Sequence, residues 1–239
     1  MQLIDFSCYD FQSEEACKTI QLSLANQICL KPSIQINQIQ TVAGVDLAYW
    51  TEDQQEKAVC CIVVLDFSSG TVLERVHQVG TIHFPYLPGY LSFRELPLIL
   101  DTVKKLTLGP DVYLFDGNGY LHPRHMGIAT HASFYLKTPT IGVAKTYYKI
   151  KEVDYQLPED KPYAYQDIII EEEIYGRVLR TRQGVKPIFL SVGNDLDLDT
   201  STEIVKHLIN KESRIPLPTR LADLDTHEQR RIYQQLSIV

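Results

Sequence analysis

The spacing of hydrophobic residues changes period several times along the chain, and each change marks an element. Between positions 12 and 28, apolar Ala16, Ile20, Leu22 and Leu24 recur at helical intervals, which predicts a helix with one buried face. From Thr41 to Gly80 the period becomes that of strands: TVAGVDLAYW, KAVCCIVVLDF and TVLERVHQVG follow one another, with Ser68, Ser69 and Gly70 supplying a turn between the last two. Three consecutive strands in an antiparallel meander are expected. PYLPGYLSFRELPLILDTVKKL then opens on a proline-rich turn and settles into helical spacing from about Leu91 to Leu106, with Pro97 as a kink or a delayed start. Glu95 falls near the first turn of that helix.

The apolar run VYLF, Val112 to Phe115, has the character of a buried strand, and Asp116 emerges at its carboxyl end, where α/β sheets place ligands. A helix over HMGIATHASFYL and a strand over TIGVAK continue an alternation that predicts parallel additions to the sheet. Further strands are expected around 166–174, 176–182 and 187–193, helices near 200–210 and 219–235, and an exposed loop over 155–166. Strand, strand, strand, helix, strand, helix, strand is the order of a ribonuclease-H-like domain. The expected fold is therefore α/β: a mixed sheet of an antiparallel three-strand meander plus parallel strands, with helices on both faces, forming one domain over 1–239.

Composition narrows the function. At 239 residues and 44% hydrophobic, the chain can bury one large core without dividing into two. It shows no basic-then-apolar leader and no run near the roughly 18 apolar residues of a membrane span, so a soluble, cytoplasmic protein without membrane partners is expected, and a monomer. Cys8, Cys17, Cys29, Cys60 and Cys61 show no CxxC spacing and read as reduced structural thiols. A net charge of −7 argues against nonspecific coating of nucleic acid. It leaves room for an enzyme whose metal ions and a local basic patch meet phosphates, and YGRVLRTRQGVKP offers Arg177, Arg180, Arg182 and Lys186, with Arg180 and Arg182 on one face of a strand.

Asp46 lies among apolar strand neighbours in GVDLAY, where a charge is costly unless it is paired or bound to a cation. Alone it reads as structural as readily as catalytic. Asp46, Glu95 and Asp116 occupy the first strand, the first helix of the sheet unit and the end of the fourth strand, and three carboxylates converging there need a compensating cation. Oxygen-only ligation favours Mg²⁺, with Mn²⁺ as a substitute, over zinc. Phosphodiester hydrolysis is the matching reaction class. Lys145, ending TIGVAK, is placed to orient water or neutralise charge on the phosphate, against the plainer reading of a lysine finishing an exposed strand. His122, His125 and His131 lack Cys or acidic partners at zinc spacing. DLDLDTSTEIVK mimics the opening of a calcium loop but has Thr200 at the glycine position and Lys206 at the glutamate position; Thr200 with Glu203 reads instead as a capping box.

In order along the chain, VAGVD, FPYLPGYLSFRE, DGNGYLHPRHMGIATH, PTIGVAK and LPTRLAD resemble the signature blocks of the endonuclease V family, deoxyinosine-specific nucleases of ribonuclease-H-like fold. The resemblance implies that Asp46, Glu95 and Asp116 bind the metal. It also implies that the enzyme nicks a strand on the 3′ side of inosine, the deaminated form of adenine, one nucleotide beyond the lesion, as a step of DNA repair. PYLP, Pro85 to Pro88, is then a strand-separating wedge, with Tyr86 stacking where the base was and Pro88 stiffening the loop. Gly117 and Gly119 would bring backbone amides to the base, and His122 would border the pocket. Inosine-containing DNA is the expected partner, with RNA as a second candidate.

Two blocks depart from the pattern. HPRH stands where the family has HPRR, and SVGN where it has SPGH, so that Asn194 takes the place of an active-site histidine. Asparagine can hydrogen-bond a water or phosphate but cannot transfer a proton near neutral pH, which gives Asn194 a positioning role at most. Two other functions stay open on these residues: a ribonuclease-H-like nuclease of broader structure specificity, and a noncatalytic inosine reader.

Overall fold

The computed structural model describes residues 13–236; Cys8 and the first residue of the expected N-terminal helix, Gln12, lie outside them. Helix α1 spans Glu14–Ala25, its N-terminus capped by the Ser13 hydroxyl, which accepts from the Ala16 amide. Its buried face is Cys17, Gln21 and Leu24, whereas Leu22, expected inside, is exposed.

The meander forms as the period-two pattern requires. Strand β1 (Thr41–Glu52) pairs antiparallel with β2 (Gln55–Asp66) along its whole length, and β2 with β3 (Val72–Thr81). The β2–β3 turn is set by Asp66, whose Oδ1 accepts from Ser68 Oγ, Ser69 N and Ser69 Oγ, all at 2.8 Å, while Gly70 takes φ of +68°. Helix α2 (Leu91–Val103) carries Pro97 in its interior rather than at its start. Strand β4 (Val112–Phe115), helix α3 (Ile128–Leu136) and strand β5 (Thr140–Ala144) follow, β4 parallel to β1 and β5 parallel to β4. The chain then adds β6 (Tyr165–Ile170), β7 (Glu173–Leu179) and β8 (Ile188–Asn194), all antiparallel, and closes with α4 (Leu198–His207) and α5 (Leu217–Leu236). Helix α4 starts earlier than the Thr200–Glu203 box implied: Asp197 is the cap, its Oδ1 accepting from the Thr200 amide at 2.6 Å.

One eight-stranded sheet results, in the order β3-β2-β1-β4-β5-β8-β7-β6, a ribonuclease-H-like arrangement. Two hydrophobic cores flank it. On one face Leu96 and Ile99 of α2 and Ile128, Ala129 and Ala132 of α3 meet Ala43, Val45 and Phe115; on the other, Ile204 and Val205 of α4 and Ala222 of α5 meet Val42, Leu114 and Leu190. Strand β1 therefore shows alternate residues to α2 and to α5. It is paired on both sides only over Val42–Val45, because β4 ends at Phe115 while β1 continues beside β2 alone. No helix among the described residues is long and apolar enough to cross a membrane.

Candidate active site

The notch where β1 parts from β4 collects the carboxylates. Asp46, the first residue of β1 past that parting, lies on the α5 side, and its Oδ2 accepts from Thr226 Oγ1 at 2.9 Å. Glu95 comes from α2 on the other face and accepts a short hydrogen bond from Tyr49 Oη; Tyr49 in turn lies under the Arg94 guanidinium, 4.8 Å from its ring centre. Asp116 leaves the end of β4 and accepts from Lys145 Nζ at 2.6 Å. Lys145, at the end of neighbouring β5, also reaches Asp223 Oδ1 of α5 at 3.0 Å. Of the four residues expected together, Asp116 and Lys145 are joined directly, while Asp46 and Glu95 come from β1 and α2 with partners of their own. Asp223 is the addition that sequence reasoning missed; its only signal was its place in the LPTRLAD block.

Crowding of acids leaves an electrostatic mark. Asp46 is pushed up to about 7, first by burial and then by the charge of Asp116, against the opposing pull of Thr226 and Lys145. Glu95 is also pushed up to about 7: burial dominates, the Tyr49 hydrogen bond opposes it, and the charges of Asp46 and Asp116 add to it. Asp116 is raised by burial in spite of Lys145. For Lys145, burial works against the charge, but the hydrogen bonds and charges of Asp116 and Asp223 outweigh it and raise the ammonium above its ordinary value. The donor set suits a hard divalent cation: oxygen donors at the end of the sheet, no thiolate among them, and a mutual repulsion that a cation would relieve. Each acid is now turned to a protein partner, and among the described residues no three His, Cys, Asp or Glu side chains form a ready-made cage.

Beside the notch opens a cavity of about 480 Å³, whose lining includes the Tyr86–Gly89 loop, Gly117, Asn118 and Ile128, and the Ala144–Tyr148 segment, together with Asp116. Tyr86 is 69% exposed at the tip of its loop, an aromatic ring offered to solvent. His122 lines the cavity but is buried and fully engaged: its Nδ1 accepts from the Arg124 and Met126 amides at 3.2 and 3.3 Å, so the ring proton sits on Nε2 and is donated to the Gly89 carbonyl at 3.0 Å. Burial pushes it down to about 3. His122 therefore ties the 85–89 loop to the loop after Asp116.

A family model described as Endonuclease V matches residues 22–224. The chain belongs to the endonuclease V family. The Endonuclease V of Bacillus thuringiensis subsp. konkukian is 58% identical over 212 residues, 89% of this chain and 90% of its own. The crystal structure of Endonuclease V from Bacillus subtilis is 55% identical and superposes with a TM-score of 0.93 over 98% of this chain and 99% of that one. A Ciona intestinalis Endonuclease V, solved in complex with a DNA containing an inosine followed by a ribo-adenosine, is 27% identical with a TM-score of 0.82, covering 92% of this chain and all (100%) of that one.

For this endonuclease V family member three expectations need correction. Asn194 is not at the notch. It pairs with Thr140 at the opposite end of β5 from Lys145, and its Oδ1 accepts from the Cys29 amide at 2.7 Å, so it fastens the segment after α1 to the back of the sheet. The Gly119 amide cannot serve a base, since it donates to Ser191 Oγ at 2.8 Å, and a Cβ there would collide with the Val192 carbonyl; Gly119 is a packing glycine, while Gly117 does line the cavity. The basic patch largely dissolves. Arg177 is buried against Asp167, Asp199, Thr202 and the Tyr165 ring, and Arg180 against the carbonyls of Glu159 and Val185, which leaves Arg182 and Lys186 nearer solvent.

Proposed function

We propose that the protein is a metal-dependent endonuclease that recognises inosine and hydrolyses a phosphodiester bond on its 3′ side, one nucleotide beyond the lesion, with DNA as the substrate to be repaired. The observation that carries this reading is the joining of two features in one opening: a carboxylate notch with Lys145 at its rim, and a cavity roofed by an exposed aromatic loop. Asp46, Glu95, Asp116 and Asp223 would hold Mg²⁺, or Mn²⁺ in its place. When bound there, it would supply Lewis-acid polarisation of the phosphoryl oxygen and a lowered pKa for a bound water.

The protein's own groups do the rest. Lys145, fixed by two carboxylates, holds a permanent positive charge beside the phosphate path and offsets charge developing on the phosphoryl oxygens. The apolar walls of the cavity, Met126 and Ile128 with Leu91, exclude water from around the flipped base. The Gly117 backbone can approach its edge closely, because no side chain stands in the way. Hypoxanthine offers a carbonyl acceptor and an N–H donor where adenine offers the reverse, so a wall of main-chain groups suffices to tell them apart. Tyr86 and Pro88 enter the vacated stack. Asn194, at the opposite end of β5 from Lys145, lends no support to a noncatalytic inosine reader.

A labelled duplex containing one inosine, incubated with the protein and either Mg²⁺ or Mn²⁺, is expected to be nicked once at the position named, and Asp116→Asn to lower the rate on the order of a hundredfold or more. No nick with either cation defeats the catalytic reading. Equal cutting of flaps, mismatches and undamaged strands would favour a nuclease of broader structure specificity.

A further inference from the structure

The PYLP loop has a base, and α1 is built against it. Cys17 of α1 is fully buried in a cluster with Phe84, which precedes the loop, and Tyr90 and Phe93, which follow it, while Ile20 of α1 and Leu87 of the loop pack on the same cluster. Both ends of the loop and its middle therefore rest on one helix face. Phe84 and Phe93 stack with ring centres 5.8 Å apart, which stiffens the floor beneath them.

The polar contacts are more specific. The Gly89 carbonyl, one residue past Pro88, faces three donors from three places in the chain: Gln21 Nε2 at 3.0 Å, His122 Nε2 at 3.0 Å and Arg124 Nη2 at 2.8 Å. Gly89 has φ of +83°, and a Cβ there would press on Arg124 Nη2, so only glycine turns this carbonyl into the cluster. Gln21 is itself fully buried and uses both ends of its amide. Its Nε2 also reaches the Met126 carbonyl at 3.3 Å, and its Oε1 accepts from Arg124 Nε at 2.6 Å. A buried glutamine in an otherwise apolar helix face is costly unless satisfied in this way. Its satisfaction links the wedge loop, the base-pocket loop and α1 in a single network.

We propose that α1 is the brace of the strand-separating loop and that Gln21 is the positioning residue through which it acts. The inference rests on reading PYLP as a wedge. A wedge does work only if the loop does not recoil when it is pushed into stacked bases, and the network fixes the loop at its carboxyl end while the Cys17 cluster supports it from below. Gln21 lies outside the 480 Å³ cavity wall and is bonded to neither the carboxylates nor Lys145, so its effect reaches substrate through the two loops it joins, at Gly89 and at Met126.

The test separates opening of a duplex from cutting. An inosine in single-stranded DNA needs no strand separation, whereas one in a duplex does. Gln21→Met keeps the volume and removes the donors and the acceptor; Gln21→Glu keeps the acceptor toward Arg124 but offers nothing to Gly89. Both variants are expected to lower the ratio of duplex to single-strand cleavage by about tenfold, the effect of losing hydrogen bonds worth one order of magnitude. They should also reduce the fluorescence rise of a 2-aminopurine placed beside inosine in the duplex. Because the ratio is taken within one preparation, a smaller folded fraction cancels. Tyr86→Ala, which shortens the wedge itself, serves as the reference. If the Gln21 variants lose both activities in equal proportion, or leave the ratio unchanged while Tyr86→Ala lowers it, the brace is refuted and the wedge stands. If Tyr86→Ala leaves ratio and fluorescence unchanged, the wedge reading falls and the brace with it.

Discussion

Lys145 stands between two acids, Asp116 at 2.6 Å and Asp223 at 3.0 Å, and the division of its charge between them sets how far Asp116 is free to turn toward a cation. Removing Asp223 would give Asp116 a stronger hold on Lys145 and take a carboxylate from the notch. Asp223→Asn is therefore expected to lower nicking on the order of a hundredfold, whereas Asn194→His should leave both rate and pH dependence within about twofold of wild type, since an imidazole at the far end of β5 reaches nothing that reacts; steady-state nicking across neutral pH checks both. The contrast explains what was legible. Asp46 and Asp116 stand out because a charge in or just after an apolar strand is conspicuous, and Glu95 is singled out by its place on the first helix of a ribonuclease-H-like order of elements. Asp223 does not stand out, because an acid in an amphipathic helix looks like any solvated face until the helix is laid across β1. Asn194 was misplaced because a motif block says which strand a residue ends, not which end of the sheet that strand brings it to.

Among elements, the contact between β1 and α5 matters most, since it carries Asp46 on one side and Asp223 and Thr226 on the other. Gly44 makes it possible: a Cβ at that position would fall inside the backbone of Pro218 and Thr219 at the start of α5. Gly44→Ala is expected to push α5 outward and destabilise the fold by about 3 kcal/mol or more, a loss read from the midpoint of urea unfolding, and to cost activity even in the fraction that folds. Most elements were readable from apolar spacing and runs, because β2 is an unbroken apolar run buried on both faces and α4 buries Ser201, Thr202, Ile204 and Val205 along one side. The misreadings share a cause. Leu22 was assigned to a buried face that α1 gives instead to Cys17 and the polar Gln21, and Arg177 and Arg180 were read as surface because their partners, Asp167, Asp199 and two loop carbonyls, become neighbours only after β6, β7 and α4 have assembled.

Across the whole molecule, two sets of buried groups pull stability in opposite directions. His122 and His131 are held neutral, pushed down from 6.5 to about 3 by burial, so the unfolded chain takes up those protons first and their contribution to stability is lost as pH falls from 6.5 toward 3. Asp46 and Glu95, raised to about 7, do the reverse: the folded chain holds their protons longer, and they cost stability as pH rises from the ordinary carboxylate range through 7. The two tend to cancel in cation-free protein, so the informative quantity is a difference. Relative to wild type, His131→Phe should gain stability as pH falls below 6.5, and Asp46→Asn should gain it as pH rises toward 7, in urea titrations without divalent cation. The notch that makes those acids costly arises from a mismatch in strand length: β4 stops at Phe115 while its neighbour β1 runs on to Glu52. Such a mismatch works as a ruler. Adding or deleting one residue within Val112–Phe115 would turn Asp116 to the other face, while a length change in the 155–163 loop leaves the register of Asp46 and Asp116 as it is. Inheritance of this site therefore depends less on conserving a pocket than on conserving a count.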